Sequence, residues 1–193
     1  MRLQIVGVAL AIGLSFSAAT QAGGVSGSML GNTCSGCHGT NGVSAAETMP
    51  TIGGQSKEYL DTTMKQYRGG SRASTIMGRI AKGYNDEQIA AMSDFFAKQQ
   101  WVSAPQPVDA SLAKQGEVIY AKGCKTCHAD NGSKVADGAP PRLAGQWSAY
   151  LRNFLDCAND AKCANNHPMN EQLFGKTTKA DIDALLQFFA SQK

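Results

Sequence analysis

The pattern Cys-x-x-Cys-His occurs twice, as Cys34-Ser35-Gly36-Cys37-His38 and Cys124-Lys125-Thr126-Cys127-His128, and the chain repeats itself around it. Asn41-Gly42 matches Asn131-Gly132, and Gly54-Gln55 with Tyr59-Leu60 matches Gly145-Gln146 with Tyr150-Leu151. The stretch from Ile89 to Gln99 matches Ile182 to Gln192, each carrying Phe-Phe-Ala, at Phe95-Phe96-Ala97 and Phe188-Phe189-Ala190. The lag of roughly 90 residues drifts by only about three along the chain, so the halves differ by small loop insertions. A unit this long that occurs twice reads as a duplicated domain rather than a solenoid.

At 193 residues the chain gives each half fewer than ~100, too few for a self-sufficient side-chain core, so staples or bound cofactors are expected. Val102 to Ala110, with Pro105 and Pro107, reads as an extended linker between a first domain at 23–101 and a second at 111–193. In the first half Ser56 can cap a helix carrying Tyr59, Leu60, Thr63, Met64 and Tyr67 at helical spacing, stopped by Gly69-Gly70. Asn85, with Gln88 three residues on, opens another that carries Ile89, Met92 and Phe96. The second half repeats this with Tyr150, Leu151, Phe154 and Leu155, then with Ile182, Leu185, Leu186 and Phe189 behind Thr178. A helix from Leu112 to Lys122 leads into Cys124, and no period-2 strand is seen, which predicts an all-α chain.

Residues 1–22 read as an export leader: Arg2, an apolar run from Ile5 to Phe16, then small residues ending at Ala22. The run is shorter than the ~20 residues a membrane span needs. Cleavage is expected after Ala22, with Ala19 as the alternative, giving a periplasmic protein with no span in the mature chain. A formal net charge of +3 at pH 7, one less without Arg2, lacks the dense basic stripe of a nucleic-acid binder.

Cys-x-x-Cys-His is the attachment signature of c-type haem. Thiols three residues apart on a helical turn can form thioethers with one porphyrin edge, and the next residue can bring its imidazole beneath the iron. The rival readings fit less well. A structural zinc site wants its Cys pairs ~15–20 residues apart, a thioredoxin-like pair wants a βαβ context, and a disulfide within each motif leaves the paired histidines unexplained. Two covalent haems are therefore expected, on Cys34 and Cys37 with His38 as axial ligand, and on Cys124 and Cys127 with His128. A large flat apolar cofactor also supplies the core that so small a domain lacks.

An electron carrier closes the sixth position of its iron with a protein ligand, whereas an oxygen- or peroxide-binding enzyme leaves it open. Met77 and Met169 lie in corresponding loops and are the expected sixth ligands, with His167 an open alternative in the second half. Met64 and Met92 fall on apolar helix faces and align in the repeat with Leu155 and Leu185, which reads as packing, and Met49, aligned with Pro140, has no counterpart. Pro50 and Pro141 follow the two motifs at similar distances. Each either shapes a loop or lends its carbonyl to the Nδ1 proton of His38 or His128.

With these residues in place the mature chain resembles the dihaem class I cytochromes of the cytochrome c-four type, which implies two tandem class I cytochrome c domains. Met49-Pro50-Thr51-Ile52 and the run from Ser74 to Tyr84 are similar to the first half of the cytochrome subunit of flavocytochrome c sulfide dehydrogenase. That likeness implies a FAD-containing flavoprotein partner that oxidises sulfide and passes on electrons, with no catalysis by the cytochrome chain alone. The alternatives are a free shuttle to a terminal oxidase and, less favoured by the two available sixth ligands, a haem enzyme or thiosulfate-oxidising subunit.

The second half departs from its twin at Asp156 to Cys163, which replaces the basic stretch Arg68 to Arg72. In an oxidising compartment Cys157 and Cys163 are expected to form a disulfide that tethers the Met169 loop, the alternatives being free thiols or an extra ligand. Lys65, Arg68, Arg72, Arg79 and Lys82 surround the first ligand loop and read either as a solvated, propionate-pairing face or as a docking surface for a redox partner.

Overall fold

Side chains that can satisfy the orphan donors of a first helical turn sit where the helices begin. A computed structural model describes residues 26–159 and 177–193 of the chain. Its first half contains α1 (Gly27–Asn32), α2 (Ser35–His38), α3 (Lys57–Gly69), α4 (Met77–Ile80) and α5 (Asp86–Ala97). The second contains α6 (Ala110–Gly123), α7 (Ser148–Asn159) and α8 (Lys179–Ser191), and no strand occurs among the described residues. Ser56 Oγ accepts the Tyr59 N–H at 3.1 Å to start α3, which stops where Gly70 takes a left-handed φ of 76°. Asn85 and Gln88 exchange backbone-to-side-chain bonds of 2.9 and 3.0 Å at the head of α5, and Thr178 and Asp181 do the same at α8. Asp109 caps α6, which starts at Ala110, two residues before the expected Leu112. The short α1 was not expected, since its sequence, Gly-Ser-Met-Leu-Gly-Asn, is rich in weak helix formers.

Its position explains it. In each half the helix before the Cys motif crosses the last helix of that half, and a glycine allows the contact. A Cβ on Gly27 would lie 2.3 Å from the Ala91 carbonyl oxygen, and one on Gly116 would lie 2.1 Å from that of Ala184. One turn further on the halves differ. Gly31 leaves room for the Phe95 ring, whereas Tyr120 stacks its own ring on Phe188 at 4.8 Å and donates its hydroxyl proton to the His128 carbonyl at 2.6 Å. The two cores are correspondingly unequal. Among the described residues Tyr120, Leu151, Ile182, Leu185, Leu186, Phe188 and Phe189 form one cluster in the second half, whereas in the first Leu30, Ile89 and Met92 form a smaller one, with Leu60, Ala81 and Phe96 buried outside it. Cys34 packs on the small cluster and Cys124 on the large one.

After each motif the chain makes a similar loop, which differs at its start, where Gly39 takes a φ of 73° in the first half and Asp130 a φ of 54° in the second. Asn41 and Asn131 both take φ of 56°, the left-handed conformation Asn tolerates best after Gly. The Gly42 carbonyl accepts from Ile52 and Gly53, and the Gly132 carbonyl accepts from Leu143 and Ala144. Gly54 N–H then donates to Phe96, as Gly145 does to Phe189, tying each loop to its last helix. Residues 101–109 carry no helix, and they run across both loops: Gly54 abuts Trp101, Gly145 abuts Ser103, and Ala104 N–H donates to the Gly145 carbonyl at 2.7 Å. No helix among the described residues is long and apolar enough to cross a membrane.

Candidate haem sites and the domain boundary

The backbone turn that presents each Cys pair is the same in both halves. His38 N–H donates to the Cys34 carbonyl at 2.9 Å and Cys37 N–H to the same oxygen at 3.2 Å; for His128 and Cys127 on Cys124 the distances are 2.8 and 3.2 Å. The first thiol of each pair is half-buried and the second exposed. Burial, the largest influence, pushes the Cys34 and Cys124 thiols above their ordinary value, with the Thr33 hydroxyl opposing it at Cys34 and the neighbouring thiol adding to it at both. That is the reverse of the acidified thiol that a dithiol oxidoreductase uses for attack. Nor does a cluster of three His, Cys, Asp or Glu side chains suited to a metal ion occur among the described residues.

The histidines are buried, each 8% exposed. Nδ1 of His38 stands 2.9 Å from the Pro50 carbonyl oxygen, and Nδ1 of His128 stands 3.2 Å from that of Pro141. A carbonyl can only accept, so the proton resides on Nδ1 and the Nε2 lone pair is the one available for a metal. Of the two roles considered for the prolines, the structure places their carbonyls on the imidazoles. Burial holds His38 below its ordinary value, with the Pro50 bond opposing. The neutral ring that results is the form that binds iron.

Two further observations fit haem. Trp101 Nε1 is buried with no acceptor among the described residues, a donor suited to an oxygen from outside the polypeptide such as a propionate. The Arg142 guanidinium lies 5.0 Å over the Trp101 ring, with burial lowering its tendency to hold a proton. The buried cluster of the first half, Leu30, Ile89 and Met92, is small among the described residues, and a porphyrin beside Cys34 would extend it. Trp101 escaped the sequence reading because an orphaned indole has no local signature.

Met77 is the first residue of α4, half-buried, in a turn fixed by Gly78 N–H on Ser74 Oγ at 2.7 Å. Met92 is 3% exposed in the first core and Met64 packs beside it, the packing role expected of both. Cys157 falls in the last turn of α7; its side chain, together with Cys163, His167 and Met169, lies outside the described residues.

The basic group around the first ligand loop divides. Lys65 pairs with Asp61 at 2.7 Å, and Arg68 pairs with Asp86 while also donating to the Tyr84 carbonyl. Arg72 stands 5.4 Å from the Tyr67 ring, 6.0 Å from Tyr59 and 5.4 Å from Phe154. Tyr59 and Tyr67 lie on α3 and Phe154 on α7, so these aromatics, read from the sequence as separate helix faces, meet around one cation across the domain boundary. Burial opposes the Arg72 charge, but the surrounding Tyr59, Tyr67 and Tyr150 outweigh it. Arg79 and Lys82 remain exposed.

The boundary is also stitched by two amides. Gln146 Oε1 accepts from Thr51 N–H at 3.0 Å while its Nε2 donates to the Thr51 carbonyl at 2.9 Å. Gln55 does the same to Arg142, accepting at 2.9 Å and donating at 3.0 Å. Because Gln55 and Gln146 occupy equivalent places, as do Thr51 and Arg142, the arrangement is isologous, like that of a two-fold dimer. Trp147 departs from the symmetry: it crosses to give its Nε1–H to the Ser44 carbonyl at 3.0 Å.

A helical fold used twice, each copy presenting two thiols and a neutral, oriented imidazole on one turn, defines a protein with two covalently held haems. The sequence profile of the Cytochrome c family matches residues 26–100 and 113–193, and the chain belongs to that family. It is a dihaem class I cytochrome c with two covalent c-type haems, and it transfers electrons. Cytochrome c4 of Azotobacter vinelandii is 26% identical over 97% of this chain and 98% of its own length. The crystal structure of reduced recombinant cytochrome c4 from Pseudomonas stutzeri superposes with a TM-score of 0.75 at 25% identity, covering 86% of this chain and 97% of that one. The cytochrome subunit of sulfide dehydrogenase from Chlorobaculum tepidum is 46% identical over 70 residues, which are 36% of this chain and 63% of that protein.

Proposed function

We propose that this chain is the periplasmic haem subunit that takes electrons from a sulfide-oxidising, FAD-containing flavoprotein. Haem one is held by Cys34, Cys37, His38 and Met77, and haem two by Cys124, Cys127, His128 and Met169, in domains that meet at a linker over residues 102–110. The Nδ1–H bonds from His38 to Pro50 and from His128 to Pro141 support the axial assignment, because they leave Nε2 of each ring as ligand and raise its basicity. When bound, the haems supply one-electron redox chemistry; the polypeptide orients the imidazoles and excludes water. The observation that favours the flavoprotein as donor is the 46% identity of the 70-residue stretch to the Chlorobaculum tepidum subunit. Ile76 and Ile80 are exposed beside Arg79 and Lys82 on the Met77 segment, an apolar patch with a basic rim suited to docking an acidic partner.

A second reading, a freely diffusing shuttle, is favoured by the full-length match to cytochrome c4. Purification of the holoprotein from its native periplasm separates the two. Flavin absorption that stays with the haem bands through gel filtration, and sulfide-dependent haem reduction in that fraction, are the expected results. Haem absorption without flavin, at the mass of the chain alone, would exclude the flavoprotein reading and leave the shuttle.

A further inference from the structure

The two cross-domain amide clasps do not land on arbitrary backbone. Thr51, gripped by Gln146, follows Pro50, whose carbonyl receives His38 Nδ1–H; Arg142, gripped by Gln55, follows Pro141, whose carbonyl receives His128 Nδ1–H. Gripped residue and proline share a peptide unit, since the Pro50 carbonyl and the Thr51 N–H belong to one rigid plane. The N–H that Gln146 fixes at 3.0 Å is therefore the other end of the group that accepts from His38. The same holds for Gln55, the Pro141–Arg142 peptide and His128. Thr51, Gln55 and Gln146 are 1%, 4% and 2% exposed, so water does not compete for the Gln146–Thr51 bonds, while the Gln55–Arg142 bonds, with Arg142 half-buried, are partly shielded from it.

We propose that Gln55 and Gln146 are reciprocal positioning residues: each sets, across the domain boundary, the Nδ1–H···O=C bond of the other domain's axial histidine. Gln55 of the first domain acts on the second iron, and Gln146 of the second acts on the first. The physical route is polarisation and placement. An amide whose N–H is engaged by a buried acceptor presents a more negative, better-fixed carbonyl oxygen. A stronger bond from that oxygen to Nδ1–H makes the imidazole more basic and favours ferric over ferrous iron. Loosening the clasp raises the potential of the haem in the opposite domain. This inference rests on the assignment of His38 and His128 as iron ligands.

The test uses the full-length holoprotein and the variants Gln55→Met and Gln146→Met, which keep side-chain length and remove both amide functions. Two readouts are taken: the Nδ1–H resonance of each ligand histidine in the reduced, diamagnetic state, and the reduction potential of each haem. Gln55→Met should shift the His128 resonance, speed its exchange with deuterium, and change the haem-two reduction equilibrium about threefold, or about 28 mV at ~59 mV per tenfold for one electron. His38 and haem one should change by less than half as much, and Gln146→Met should show the mirror pattern. Effects on the same domain, equal effects on both, or none would overturn the proposal, because a merely structural interface has no crossed signature. If the methionine variants do not mature, Gln55→Asn and Gln146→Asn keep the amide one methylene short and should give the same crossed pattern at smaller size. Ligand assignment is read separately in the wild type: histidine Nδ1–H resonances lacking the ring-current shift of an iron-bound imidazole would remove the underlying reading, whereas shifted resonances with no crossed effect would remove only the clasp.

Discussion

Gly116→Ala inserts one methyl group where α6 crosses α8. The new Cβ would lie 2.1 Å from the Ala184 carbonyl oxygen, 2.6 Å from its carbon and 2.8 Å from the Phe188 Cβ. Ordinary contact between such atoms begins near ~3.5 Å, so α8 must withdraw by about 1 Å, and no rotamer change relieves it because two of the obstructing atoms are backbone and the third is a Cβ, whose place the backbone fixes. That withdrawal loosens Leu185, Leu186, Phe188 and Phe189, all within 5% exposure, from Tyr120. Overpacking of this kind costs about 1–3 kcal/mol, and the upper end applies here. The gain in helix propensity from Gly to Ala returns at most about 1 kcal/mol, for a net loss of about 2 kcal/mol. Guanidinium denaturation of the holoprotein, followed by far-ultraviolet dichroism, measures it as a lower midpoint. Gly69→Ala is the control: a Cβ there meets nothing within 4 Å, and its expected effect is between zero and about 1 kcal/mol of stabilisation. A Gly116→Ala protein as stable as the wild type would refute the reading of this crossing as a contact between backbones.

Thr178→Ala removes the cap of α8 and should cost about 1 kcal/mol near neutral pH in the same assay. Asp181 is held below its ordinary value first by the Thr178 N–H and then by its hydroxyl. Its contribution is therefore present above the unfolded value near ~4 and fades as the pH falls through the lowered one, so Asp181→Asn and wild type should converge in stability in acid. Arg72→Met should destabilise by about 1–2 kcal/mol through loss of the aromatic contacts on both sides of the boundary. Burial already pushes Tyr150 well up, and Arg72 opposes it, so an ultraviolet titration of Arg72→Met should show its ionisation moved higher still. Met77→Ala should open the sixth position of haem one, read as cyanide binding and a high-spin contribution in the oxidised spectrum at about half the total haem.

Short-range chemistry carried most of the sequence reading. Caps at Ser56, Asn85 and Thr178 act within three residues, and the same distance governs the motif turn, so both were legible in the string of letters. Pairing of Pro50 with His38 was legible only as one of two options, since spacing does not say where a carbonyl points. The fate of Arg72 was not legible at all: its partners stand on α3 and α7, and only the packing of the halves joins them. Gly54-Gln55 and Gly145-Gln146 were visible as repeated pairs, but their bonds link residues from opposite halves. α1 escaped for the complementary reason, as its stability comes from the crossing with α5 and not from its own residues.

The isologous clasp has a bearing on descent. A pairing in which the same amide of each copy grips the same peptide of the other is the contact two identical subunits would make, and it closes on itself without leaving a sticky face. Joining the copies in one chain through residues 101–109 makes that encounter intramolecular and independent of concentration. It also frees each copy to drift: Tyr120 stands where Gly31 does, and Trp147 reaches over where Ser56 only caps a helix. Two equal subunits exchanging electrons have no preferred direction, whereas two fused and unequal ones can hold their carriers at different potentials, and so give the current a downhill side.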